Sequence, residues 1–176
     1  MKNKNYLYGL LLYGFIAGFT SPVSAEIRQC DKEFISSDDS HIVYMGRISR
    51  SIPHIVRFTY PGVSILANFE GTSLQMKAKP GSGAFMVEVD DELPYRINFA
   101  ENDSIQTLAE GLPEGTHRVR IMYAIEGYEL KPAFKGFYLD KGCRLAEAPV
   151  LPERRIEFIG NSITCGYGVE SENPSD

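Results

Sequence analysis

The chain has 176 residues, a net charge of −5 at pH 7 and no tryptophan. An acidic balance of this kind supplies no basic stripe to follow a nucleic-acid backbone, so that class of partner is excluded and a neutral substrate suits the chain better.

Residues 1–25 read as a secretory signal peptide. Lys2 and Lys4 make a basic start, residues 7–19 form an apolar run, and Val23-Ser24-Ala25 offers small residues for cleavage. Gly9, Gly14 and Gly18 interrupt the run, which is too short for a membrane span. Cleavage after Ala25 removes two lysines and no acid, taking the net charge to −7. No membrane span is expected after it, and the product is secreted or periplasmic. About 150 residues remain, enough for one domain with a proper core.

Residues 41–140 read as short strands separated by turn residues. The first two are 41–48 and 54–60, on either side of a Ser-Ile-Pro break. Pro61-Gly62 leads into 63–70, where Ile65, Ala67 and Phe69 share one face. Gly71-Thr72 turns into 73–79, with Leu74, Met76 and Ala78 alternating. Strands at 84–89, 94–99, 104–109, 117–125 and 133–139 come next, each bounded by Gly, Pro or Asp. No segment sustains a helical period. This pattern predicts an all-β antiparallel sandwich, a jelly roll, over residues 26–148. Residues 145–152, with Pro149 and Pro152, form the linker to the next element.

Export makes a disulfide possible. Cys30 opens the domain and Cys143 lies just past its last strand, and first and last strands of a sandwich often lie side by side. A Cys30–Cys143 bridge is one reading; two unpaired small apolar side chains is the other. Cys165 reads as packing.

Residues 149–176 have another character. Ile156, Phe158 and Ile159 form a short strand-like run, and Gly160-Asn161 then turns the chain with two residues that tolerate positive φ. A turn of this kind delivers Ser162 at the carboxyl end of a strand. An open α/β sheet places its chemistry there. If a helical turn starts at Ser162, its N–H groups and dipole favour a developing oxyanion. A serine in this setting can equally just cap a turn.

The run from Ile156 to Thr164 resembles the first block of the SGNH (GDSL-like) hydrolases. With Arg154-Arg155 before it and Cys165-Gly166-Tyr167-Gly168 after it, it is similar to carbohydrate esterase family 2, which removes acetyl groups from sugars. Asn161 stands where GDSL-type blocks commonly carry Asp. The sandwich half resembles the family more diffusely, in Phe58-Thr59-Tyr60-Pro61-Gly62, Phe69-Glu70-Gly71-Thr72-Ser73-Leu74, Gly115-Thr116-His117-Arg118-Val119 and Phe134-Lys135-Gly136-Phe137-Tyr138. The resemblance implies a jelly roll followed by the first strand and nucleophile turn of an α/β SGNH domain. Ser162 is then the nucleophile, its backbone N–H serves the oxyanion, and Gly160 and Asn161 support the turn. The expected activity is secreted carbohydrate O-deacetylation of the acetyl xylan esterase type, on acetylated polysaccharide or oligosaccharide. The family's later blocks, which carry the catalytic histidine and further oxyanion donors, have no counterpart in these residues. The chain is therefore expected to be truncated and inactive alone.

His41, His54 and His117 all precede Ser162 and read as strand-edge surface residues. The acidic pairs Asp38-Asp39, Asp90-Asp91 and Glu170/Glu172 lack a third ligand at useful spacing, so solvated turns are expected rather than calcium. No zinc pattern or phosphate loop occurs, and neither metal nor cofactor is expected. Tyr44, Tyr60, Tyr95, Tyr123, Tyr128 and Tyr138 keep open a second reading, a noncatalytic carbohydrate-binding or interaction sandwich. A third, weaker one is an SGNH hydrolase acting on lipid or cell-wall acyl groups.

Overall fold

The computed structural model describes residues 31–154, 156 and 158–164. The predicted signal peptide, Cys30, Cys165, Gly166-Tyr167-Gly168 and Glu170/Glu172 lie outside the described residues. Among those described there are eleven strands and no helix: β1 (Lys32–Ser36), β2 (Val43–Met45), β3 (Ser49–Ile52), β4 (Ile55–Arg57), β5 (Ser64–Glu70), β6 (Leu74–Ala78), β7 (Gly83–Val89), β8 (Tyr95–Phe99), β9 (Ile105–Ala109), β10 (Thr116–Tyr123) and β11 (Ala133–Asp140).

They form two antiparallel sheets. One runs β3-β4-β11-β6-β9, with β1 also paired to β11; the other runs β2-β5-β10-β7-β8. Counting only β4 to β11, the first sheet holds strands four, eleven, six and nine, and the second holds five, ten, seven and eight. That is jelly-roll connectivity, with hairpins folded between two layers as paired Greek keys.

Alternation explains the layers. Ile65, Ala67 and Phe69 of β5 and Leu74, Met76 and Ala78 of β6 are all buried, while their neighbours along the strand are more exposed. The inward faces meet in one apolar core. Phe85 sits amid Phe58, Phe99 and Tyr123 at ring-centroid distances of 6.1, 5.7 and 5.1 Å, all near edge-to-face. Edge-to-face geometry sets the positive rim of one ring against the negative face of the next. Tyr123 is fully buried, but its hydroxyl donates to Ser82 O at 3.1 Å, and burial pushes its pKa up to about 12. Ser82 Oγ in turn donates to Lys79 O and accepts from Ala133 N–H, so a loop and β11 are fastened by one side chain.

Three features differ from expectation. β1 and β3 read as loop because they are exposed edge pieces without alternation. The expected Ser-Ile-Pro break is the turn of the β3–β4 hairpin, where Ile52 faces Ile55 and His54 takes a left-handed φ of 60°. Leu145, expected at the start of the linker, is buried in the core and bridges Phe69.

Candidate functional site

The chain leaves the sandwich along a fixed track. Beyond β11, Glu70 N–H donates to Arg144 O, Ala146 N–H donates to Asn68 O, and Asn68 Nδ2 donates to Glu147 O at 2.8 Å. Arg144 also meets the Glu70 carboxylate at 3.2 Å. Residues 144–147 thus extend the free edge of β5 beyond β2. A groove of about 490 Å³ opens beside them, lined by Asp39, His41, Glu70, Arg144 and Glu147 among others.

The segment carrying Ser162 continues from that track. Residues 156, 158 and 159 form no strand, contrary to the sequence reading, and Ile156, Phe158 and Ile159 are at least 80% exposed. A strand needs neighbours to take its backbone hydrogen bonds, and no described strand lies alongside this run. The turn itself does form. Asn161 accepts at both ends, from Ile163 N–H on Oδ1 at 3.1 Å and from Thr164 N–H on its carbonyl at 3.0 Å. This is the Asx-turn device available to a short amide side chain. Neither Gly160 nor Asn161 has the positive φ expected of them. A Cβ at Gly160 would meet the side chain of Thr164, so a larger residue there would need that side chain to move. Ser162 sits exposed in this turn.

All three histidines are matched to aspartates. His41 Nδ1 lies 2.8 Å from Asp39, and His54 Nδ1 lies 2.7 Å from Asp38. His117 corrects the expectation of a surface residue. It is buried, with Nδ1 on Asp90 and Nε2 on Pro113 O at 2.8 Å. A carbonyl can only accept, so Nε2 carries a proton. A carboxylate at Nδ1 then favours a second proton there. Burial opposes this charge, but the bonds to Asp90 and Pro113 outweigh it and hold the His117 pKa above its ordinary value. A histidine with both nitrogens engaged in this way cannot accept a serine proton. Of the acidic pairs predicted as turns, Asp38-Asp39 follows β1 in a turn and Asp90-Asp91 forms one with both residues at positive φ. Among the described residues, no three His, Cys, Asp or Glu side chains gather as a metal-ion set.

Cys143 packs against Gly71, where a Cβ would lie 2.8 Å from its Sγ. Burial raises its pKa, reinforced by the negative charges of Asp140, Glu114 and Glu70. Cys143 is a free thiol here, and its predicted partner Cys30 lies outside the described residues. Nearby, Lys32 reaches both Ser73 and Asp140, a half-buried polar cluster that no sequence spacing announced.

The profile described as Carbohydrate esterase 2 N-terminal matches residues 44–149, most of the sandwich. The chain belongs to this carbohydrate esterase family. Among relatives, an acetylxylan esterase / glucomannan deacetylase from Cellvibrio japonicus is 31% identical over 138 residues, 77% of this chain and 38% of that protein. A cellulase/esterase, CelE, from Acetivibrio thermocellus is 34% identical over 142 residues, 80% of this chain and 17% of that protein. The solved structure of a family two carbohydrate esterase from Cellvibrio japonicus superposes with a TM-score of 0.72 at 28% identity, covering 83% of this chain and 44% of that one. A family two carbohydrate esterase from Clostridium thermocellum, solved in complex with cellohexaose, gives 0.63 at 34% identity over 75% of this chain and 41% of that one. The chain therefore spans less than half the length of each of these relatives.

Proposed function

We propose that this chain serves a secreted carbohydrate O-deacetylase in which Ser162 is the nucleophile. The observation that carries the reading is the Asn161 turn, which presents an exposed serine on the track leaving a carbohydrate esterase sandwich. Ser162 Oγ attacks the acetyl carbonyl carbon and loses its proton to a base. The tetrahedral oxyanion is stabilised in part by the Ser162 backbone N–H. Collapse expels the sugar hydroxyl, which takes the proton back, and water then releases acetate from the acetyl-serine. None of the three histidines in this sequence is assigned as the base: His117 Nε2 already donates to Pro113 O, and His41 and His54 stand in the sandwich half rather than in the hydrolase block. The substrate is acetylated polysaccharide or oligosaccharide, and the protein is exported by the segment preceding Glu26. Residues 26–148 form the sandwich domain and residues 149–176 begin the hydrolase domain. The test is acetate release from acetylated xylan and acetylated glucomannan by the full-length protein and its Ser162→Ala variant. Loss of the nucleophile removes the covalent route and leaves at most a small residue of catalysis. Turnover near that of the unsubstituted protein in the variant would mean that another group attacks.

A further inference from the structure

At the end of β11 opposite the chain's exit lies a second groove, of about 410 Å³. It lies between the β2–β3 connection, the residues after β4 and the residues before β11. Arg47, Arg57 and Lys131 line it, with Ser49, Thr59 and Tyr60 among them, and no carboxylate does. On an acidic chain this concentration of positive charge stands out. Arg118, Arg120 and Arg144 are each matched to a carboxylate, Asp91, Glu88 and Glu70. Among the described residues no carboxylate forms an ion pair with Arg47, Arg57 or Lys131. Glu126 and Glu129 stand on the strap leading to Lys131 but outside the groove. Tyr60 is 54% exposed, with the Arg47 guanidinium 5.8 Å from its ring centroid. The walls are tied together by backbone bonds from Gly127 N–H to Thr59 O and from Lys131 N–H to Gly127 O.

We propose that this groove binds a carboxylate-bearing sugar, a hexuronate unit carried on an otherwise neutral polysaccharide. The proposal rests on the carbohydrate reading of the site above and adds the chemical class of one substituent. A pyranose has an apolar C–H face that packs on an aromatic ring such as Tyr60. Its carboxylate is met by guanidinium groups that can form two parallel charge-assisted bonds. A neutral chain would leave three cations unmatched, while a nucleic acid would need a charged track rather than a groove the size of a small-molecule site.

The test is calorimetric titration of the whole chain with xylotetraose, with xylotetraose bearing one glucuronic acid, and with inorganic phosphate at matched ionic strength. The acidic oligosaccharide should bind about tenfold or more tighter than the neutral one, a difference expected from charge-assisted bonds. Phosphate should not displace it. The double variant Arg47→Ala/Arg57→Ala and the single variant Tyr60→Ala should each remove most of that binding with the circular dichroism unchanged. Lys131→Asn keeps a side chain tolerant of the left-handed φ of 49° while deleting the charge, and should weaken binding even if the double variant does not fold. Equal affinity for both oligosaccharides, displacement by phosphate, or folded variants that bind like the unsubstituted chain would overturn the proposal. None of those results touches acetate release, and loss of acetate release with uronate binding intact would strike the esterase reading alone.

Discussion

Gly136→Ala is the sharpest perturbation of the sandwich. Gly136 lies at an irregularity in the β11–β6 register and has a φ of 141°, where an L side chain is rarely found. A Cβ there would collide with Ile35 O and lie 3.0 Å from the Phe34 ring carbons. The ring could rotate away, but Ile35 O belongs to the backbone of β1, which pairs along β11 from Lys32 to Ser36. Backbone strain of this kind costs about 1–3 kcal/mol, and forcing volume into a packed contact costs about 1–3 kcal/mol more. Gly62 separates the two effects. Its φ is 82° and nothing lies within 4 Å of its added Cβ, so Gly62→Ala carries the strain alone. In a domain of this size each kcal/mol shifts the unfolding midpoint by about 2–4 °C. Gly136→Ala should therefore melt roughly 10 °C below the parent and clearly below Gly62→Ala. Scanning calorimetry measures the midpoints, and amide exchange should show the added opening in β1. A Gly136→Ala midpoint equal to that of Gly62→Ala would refute the close seating of β1 on β11.

The remaining predictions are more local. The His117–Asp90 pair should make stability depend on pH from both sides. His117 has a raised pKa, so its contribution is full below the unfolded value of about 6.5 and is lost as pH rises through the folded value. Asp90 has a lowered pKa despite burial, held down by bonds from Arg118 N–H and His117, so its contribution is lost as pH falls through the folded value. Urea midpoints should thus be highest near pH 5 to 6, at about the middle of that window. His117→Gln should flatten the alkaline side, and a slope unchanged in that variant would refute the assignment. Cys30 and Cys143 should be joined in exported protein, so thiol labelling before reduction that modifies both would remove the pairing. The mass of the exported chain should correspond to cleavage after Ala25, and a start within residues 30–40 would contradict that boundary.

Most strands from β5 onward are legible in the sequence, through alternation in some and through bounding Gly, Pro and Asp turns in others such as β8 and β11. β5, β6, β7 and β10 alternate cleanly and sit where the pattern predicts them. β1 and β3 are edge strands whose residues stay largely exposed, so no period of two marks them. The burial of His117 is not legible, because it depends on Asp90 and Pro113, brought to it by the fold rather than by spacing. The cations of the second groove lie at Arg47 and Arg57, brought together by the β3–β4 hairpin, and at Lys131, distant in sequence and brought to them by the pairing of β11 with β4. For the site itself, Gly160-Asn161-Ser162 is legible as a turn, because an Asx turn is local. The strand expected before it does not form, since a strand needs neighbours and hydrophobic content alone does not supply them.

The central claim is that Ser162 carries the acyl group, and the most direct measurement is to catch it there. The full-length protein would be mixed with acetylated xylo-oligosaccharide, quenched in acid during turnover, digested and read by mass spectrometry. The account predicts an acetyl group on the peptide holding Gly160-Asn161-Ser162, at Ser162, and its absence in Ser162→Ala. An acetyl group trapped on a different residue, or turnover that persists in Ser162→Ala, would contradict it.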